Sequence, residues 1–125
     1  MQLNVPPDLE TFINQRLSSG GYPSAYALTP FAKADIFDIW SYIAEDSEDT
    51  ANRVEQSIYE ACAFVAEAPL RGHSRPDLTT RSLRFWTLTR YPNYAIVYRP
   101  GTAPLEIVAV MHGKRNIRRI LKQRQ

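Results

Sequence analysis

The chain reads as an α+β protein, a helix hairpin packed on a small antiparallel sheet and preceded by a strand–helix appendage. Three observations predict it. Between residues 31 and 68 the apolar side chains recur at i, i+3, i+4 and i+7, the period of helices with one buried face. From Leu83 onward the period drops to two, that of strands, and turn-forming residues cut the run into three pieces. The length, 125 residues of which 44% are hydrophobic and 22% charged, suits one hydrophobic core with a short appendage.

At the amino-terminal end the pattern predicts a short strand from Gln2 to Val5. A helix follows, opened by Pro6-Pro7-Asp8, with Leu9, Phe12, Ile13 and Leu17 on one face and Ser18-Ser19-Gly20-Gly21 at its end. A further short strand is expected from Ser24 to Leu28. Thr29-Pro30 then places a hydroxyl cap and a helix-compatible proline before a new periodic run. There Ile36, Ile39, Trp40 and Ile43 form a buried stripe, which predicts a helix from about Phe31 to Glu45. Lys33, Asp35, Asp38 and Glu45 are left for solvent, and Trp40 and Tyr42 read as core and rim.

Ser47 to Thr50 supplies the turn and cap of a second long helix, whose apolar set Val54, Ile58, Ala61, Cys62 and Val65 keeps the period until Pro69. So short a turn predicts an antiparallel hairpin. Arg71-Gly72-His73-Ser74-Arg75-Pro76-Asp77 is a turn-rich loop in which His73 reads as solvated. After it, Leu83, Phe85 and Thr87 alternate with Arg84, Trp86 and Leu88 until Tyr91-Pro92-Asn93 breaks the run. Strands from Tyr94 to Arg99 and Leu105 to His112 flank Pro100-Gly101-Thr102-Ala103-Pro104, a wide hairpin loop. Glu106 reads as an exposed strand residue. These three strands form an antiparallel meander, and the short strand near Tyr26 is expected in the same sheet. The helix hairpin covers one face, because a three-stranded sheet cannot hide its apolar side alone. Ile117, Ile120 and Leu121 predict a short, very basic closing helix after Gly113.

Charge is segregated along the chain. Residues 1–70 hold three bases (Arg16, Lys33, Arg53) and eleven acids, whereas residues 71–125 hold twelve bases and two acids, Asp77 and Glu106. The run from Gly113 to Gln125 contains six bases and no acid. Such a field favours a polyanion or an acidic protein segment as partner, which places the function in the carboxy-terminal half. No apolar run approaches the roughly 18–20 residues of a membrane span, and the start lacks the layout of a secretion signal, so the expectation is a cytoplasmic protein. A lone cysteine, Cys62, agrees with a reducing compartment and sits at core spacing with Ile58 and Val65. Two histidines, one cysteine and no close acid cluster give no metal-ligand spacing, and no phosphate-cradling glycine loop or nucleophile elbow is present. No cofactor is expected.

With that order of elements, the residues resemble the ParE/RelE toxin superfamily of bacterial type II toxin–antitoxin systems, the ParE branch in particular. The likeness is carried by Leu28-Thr29-Pro30, Ala34-Asp35-Ile36 with Ile39-Trp40-Ser41-Tyr42-Ile43-Ala44, Pro69-Leu70-Arg71-Gly72 and Arg75-Pro76-Asp77-Leu78. It continues in Leu83-Arg84, Tyr94-Ala95-Ile96-Val97-Tyr98-Arg99, Ile107-Val108 and His112-Gly113-Lys114-Arg115-Asn116. It spans roughly Leu28 to Leu121, which implies a toxin domain over residues 26–125. Residues 1–25, with Leu3-Asn4-Val5-Pro6-Pro7-Asp8-Leu9-Glu10 and Ser18-Ser19-Gly20-Gly21-Tyr22-Pro23-Ser24-Ala25, resemble the opening strand and helix of a ParD-type antitoxin. That antitoxin's second helix and neutralising segment do not follow. The fragment therefore reads as a fusion relic, and Leu3 and Val5 would make a homodimer if they paired across two chains.

The resemblance implies two activities on one scaffold. RelE-type members are ribosome-dependent mRNA endonucleases, and ParE-type members inhibit DNA gyrase by binding. RNA cleavage without metal needs a base, an acid and cations on the phosphate. Arg81, Arg84, Arg90 and Arg115 would supply cations and His112 is the residue type for a base or an acid, although His112 reads first as a structural group closing the last strand. The tail lacks the tyrosine or histidine pairing with flanking bases that RelE-type nucleases carry. Trp86, Tyr94 and Tyr98 fit stacking on nucleic acid, an ordinary half-buried sheet face or the lining of an antitoxin groove. The expectation is a plasmid-stabilisation toxin with no catalytic residue, held by a cognate ParD-type antitoxin. Arg84, Arg90, Arg115, Arg118 and Arg119 are the expected target or antitoxin contacts, with Lys114 and His112 beside them. A RelE-like endonuclease and an inactive antitoxin-binding relic stay open as alternatives.

Overall fold

The computed structural model describes residues 25–113 and 116–124. The expected appendage and the dimer contact through Leu3 and Val5 fall on residues outside that range, as do Lys114 and Arg115. Strand β1 (Tyr26–Leu28) leads into helix α1 (Pro30–Ala44), α2 (Glu48–Glu67) and a 3-10 turn (Pro69–Arg71). Strands β2 (Arg84–Thr87), β3 (Tyr94–Arg99) and β4 (Leu105–His112) follow, then α3 (Ile117–Gln123).

Both long helices begin where hydroxyl caps were expected. Thr29 accepts a hydrogen bond from the Ala32 amide at 3.2 Å and Ser47 accepts one from the Thr50 amide at 3.1 Å, satisfying donors that the first turn leaves open. Helix α1 buries Ala32 and Ile36, and α2 buries Val54, Ile58, Cys62 and Val65. They pack over one face of the sheet around Ile96, Tyr98 and Ile107.

The strand order is β1-β4-β3-β2. The expected antiparallel meander holds for β2, β3 and β4, while β1 lies parallel to β4 at the far edge, so the sheet is mixed. The reason is connection length: β1 reaches the sheet through the whole helix hairpin, so no tight turn dictates its direction. Beyond the end of β1, side chains take over as partners of the β4 edge. Thr29 Oγ1 donates to the Val108 carbonyl at 3.2 Å, and Asp35 Oδ2 accepts the Val110 amide at 2.9 Å.

The sheet is covered on its second face as well. Leu83, Phe85, Val97, Val108, Ala109 and Met111 meet Leu121 of α3 there. Register explains the division. Arg84 pairs with Tyr98 and Trp86 with Ile96 on the hairpin side, and Phe85 pairs with Val97 on the α3 side. The pairing shifts between Val97 and Tyr98, leaving Val108 as an extra residue of β4, and both Val108 and Ala109 join the α3 side.

Beside the 3-10 turn, Tyr98 ties the loop to the sheet. Its hydroxyl accepts the Gly72 amide at 2.9 Å and donates to the Pro69 carbonyl at 2.6 Å. A Cβ on Gly72 would sit 2.5 Å from that oxygen and 2.9 Å from the Phe85 carbonyl, so the position admits glycine alone. The next residue, His73, pairs by backbone with Phe85. Of the aromatics on these strands, Tyr98 is fully buried, Trp86 packs on Phe64 with centroids 5.3 Å apart, and Tyr94 meets His112 edge-on at 5.1 Å. Glu106, read as an exposed strand residue, is instead half-buried and ion-paired with Arg99 across the β3–β4 ladder at 2.5 Å.

Candidate functional site

Helix α3 is short, and tertiary contacts anchor it. Arg124, one residue past its end, donates to Asp35 through both terminal nitrogens at 2.7 and 2.8 Å, and its guanidinium lies 4.7 Å from the centre of the Phe31 ring. The Arg124 carbonyl accepts from Arg81 Nη1 at 2.9 Å. At the helix start, the Asn116 side chain accepts the Arg119 amide at 3.1 Å. Arg118 donates Nε and Nη2 to the Asp77 carbonyl at 3.1 and 2.6 Å, fastening α3 to the loop after the 3-10 turn.

A groove of about 730 Å³ runs between α3, that loop and the β2–β3 ladder. Leu78, Phe85 and Ile117, which belong to the second apolar cluster, form its floor. Exposed bases form its rim, with Arg118, Arg119 and Lys122 on the helix and Arg75 on the loop. Arg118 and Lys122 stand four apart and share a helix face. The rim charges differ in how far they are compensated. Arg75 makes a bidentate pair with Asp77 at 2.9 and 2.7 Å, which holds the Asp77 carboxyl below its usual range and raises the Arg75 guanidinium in turn. Arg118 donates to the Asp77 carbonyl, and its charge adds to that of Arg75 in holding the Asp77 carboxyl low. Arg119 makes no side-chain hydrogen bond or ion pair among the described residues. Fixed cations around an apolar floor are suited to holding an anionic segment by charge-assisted hydrogen bonds while its apolar groups are buried.

The structure gathers two of the seven expected contact residues, Arg118 and Arg119, into this groove. Arg84 lies on the opposite, hairpin-covered face, where Nη1 donates to the Gly72 carbonyl at 2.7 Å and braces the loop. Arg90 is exposed beside Phe64 and Trp86, at a separate pocket of about 320 Å³. His112 borders a third pocket of about 500 Å³ with Asp35 and Tyr42. Lys114 and Arg115 lie outside the described residues. Arg81, weighed above as a phosphate contact, is turned inward, and its Nε and Nη2 are buried without a partner. Two groove residues were not singled out from sequence. Lys122 carried a usable signal in its spacing from Arg118; Arg75 carried none, since only folding brings the loop to the helix.

Among the described residues, no cluster of three or more His, Cys, Asp or Glu is placed to hold a metal ion, and no helix is long and apolar enough to cross a membrane.

The family model described as the ParE toxin of type II toxin–antitoxin system, parDE, matches residues 26–117. Among solved structures, the chain is similar to one described as the chromosomal ParDE TA system from P. aeruginosa, with a TM-score of 0.57 and 22% identity over 71% of this chain and 97% of that one. At that identity the likeness concerns the fold. No curated protein matches.

Proposed function

The chain belongs to the ParE toxin family of type II toxin–antitoxin systems, and from that premise we propose that it is a toxin that acts by binding DNA gyrase and is restrained by a cognate ParD-type antitoxin. The observation that carries this reading is the groove under α3, where the exposed cations Arg118, Arg119 and Lys122 stand over an apolar floor. Inhibition by binding needs a surface that grips another macromolecule, and fixed cations beside buried apolar area give both attraction and specificity. The similarity to a chain of a ParDE system supports a ParD-type antitoxin as the restraining partner. A module of this kind would stabilise the plasmid carrying it, and the protein would work in the cytoplasm.

The test is a supercoiling assay with purified protein and gyrase. Supercoiling is expected to fall as the protein is added and to recover when antitoxin is mixed in first. Unchanged supercoiling at excess protein removes the gyrase target. Primer extension on ribosome-bound message from the same cells, if it shows new cut sites, replaces the reading with a RelE-like endonuclease.

A further inference from the structure

We propose that the pocket between α3 and the loop ahead of β2 binds a phosphate group, as inorganic phosphate or a small phosphomonoester, with Arg81 as its principal ligand. This site stands apart from the gyrase reading and does not depend on it.

Arg81 lies three residues ahead of β2 and is turned inward. Its Nη1 donates to the Arg124 carbonyl at 2.9 Å, a neutral acceptor, while Nε and Nη2 are closed to water and have no hydrogen-bond partner among the described residues. Buried donors left in that state cost stability, and a guanidinium holds its charge throughout, so the group calls for an anion. Nε and Nη2 share one edge of the planar guanidinium. That edge is the fork that takes two oxygens of a single oxyanion side by side.

Arg81 also lines a pocket of about 450 Å³ with Leu78, Thr79, Thr80, Arg118 and Lys122, a size suited to a small molecule. Turning the Arg81 edge into this pocket is the move that satisfies both donors. Thr79 Oγ1 accepts the Arg81 amide at 3.1 Å, which leaves its hydroxyl hydrogen to donate. With Thr80 beside it, the wall offers more donors than the two oxygens of a carboxylate can use, and a phosphoryl group brings three oxygens and up to two charges. Asp77 lines the pocket too, and its carboxylate is paired with Arg75 and attracts Arg118. That acid repels an anion from its own end, so the phosphate belongs at the Arg81 end, and the site rests on the unmet Arg81 fork rather than on an excess of charge. A phosphodiester, with one charge and a substituent on each side, suits a fork set below the surface less well than a monoester.

Titration of the full chain with inorganic phosphate, followed by phosphorus NMR at ionic strength held constant with chloride, tests this. Saturable binding is expected, weakened at least about tenfold in Arg81→Met and nearly as much in Arg81→Lys, which keeps the charge and lacks the fork. Dimethyl phosphate, the probe for a nucleic-acid backbone source, is expected to bind at least about tenfold more weakly than phosphate. Arg53→Gln, on the exposed side of α2, leaves binding unchanged, and circular dichroism confirms that each variant is folded. At phosphate about tenfold above its dissociation constant, Tm is expected to rise by about 5 °C, and Arg81→Met is expected to keep only the general salt effect. No saturation below about 50 mM phosphate, affinity indifferent to both Arg81 variants, or equal binding of dimethyl phosphate overturns the proposal. No gyrase enters these measurements, so the failure of either claim leaves the other standing.

Discussion

Replacing Asp35 by alanine removes the tie that holds the end of α3 to the rest of the molecule. The carboxylate accepts three hydrogen bonds, two from Arg124 at 2.7 and 2.8 Å and one from the Val110 amide at 2.9 Å, and the two side chains of the pair are 15% and 14% exposed. An exposed pair is worth about 0–1 kcal/mol, and stripping one partner from a fully buried pair costs about 3–5 kcal/mol. This pair lies between those limits, and the orphaned Val110 amide adds about 1 kcal/mol, so the expected loss is about 2–3 kcal/mol. For a domain of this size that is a fall in Tm of about 10 °C. Urea denaturation measures the loss, and a double-mutant cycle with Arg124→Ala isolates the ion pair, whose coupling should be about 1 kcal/mol or more. Amide exchange should accelerate first in α3. A loss below about 0.5 kcal/mol with no coupling refutes the view that this contact anchors the helix.

Gly72→Ala pushes a methyl group to within 2.5 Å of the Tyr98 hydroxyl and 2.9 Å of the Phe85 carbonyl, so a loss of about 1–3 kcal/mol is expected by denaturant titration. Tyr98→Phe keeps the ring and orphans the Gly72 amide, with an expected loss of about 1–3 kcal/mol; a smaller loss for Tyr98→Phe than for an exposed Tyr42→Phe contradicts the role assigned to that hydroxyl. Burial raises the Tyr94 and Tyr98 hydroxyls above 10.0, so above that pH the native chain holds protons that the unfolded chain releases. Their contribution is complete below about pH 10 and declines as pH climbs through the folded-state values, so stability measured at rising alkaline pH should drop, less steeply in Tyr98→Phe. Cys62 is fully buried, and burial pushes its thiol up, so a thiol reagent at neutral pH should label it only at the rate of unfolding. Fast labelling of the native protein rules that out.

Much of the fold is legible in the sequence because its determinants are local. Thr29-Pro30 and Ser47 mark helix starts through caps built within four residues, and the spacings of Ile36 and Ile39 or Val54, Ile58 and Val65 fix buried faces by helix period alone. The alternation from Leu83 onward marks strands for the same reason. The parallel entry of β1 and the second covered face have no local signature. The first depends on a crossover of two helices, and the second on Leu121 meeting Val97 and Met111 across a turn.

The candidate site divides in the same way. Sequence alone determined that the carboxy-terminal half is cationic and that Arg118 and Arg119 stand together on a helix, since charge and helical spacing are properties of neighbouring residues. It could not separate them from Arg84, because an arginine on a strand can face either side and only the pairing with Tyr98 places its guanidinium against the Gly72 carbonyl. Tertiary structure alone decided that Arg75, from a distant loop, faces α3 across an apolar floor, and that Asp35 and Arg124, 89 residues apart, hold that helix in place. The physical reason is that a groove is made of contacts between segments, which the order of residues along one segment does not encode.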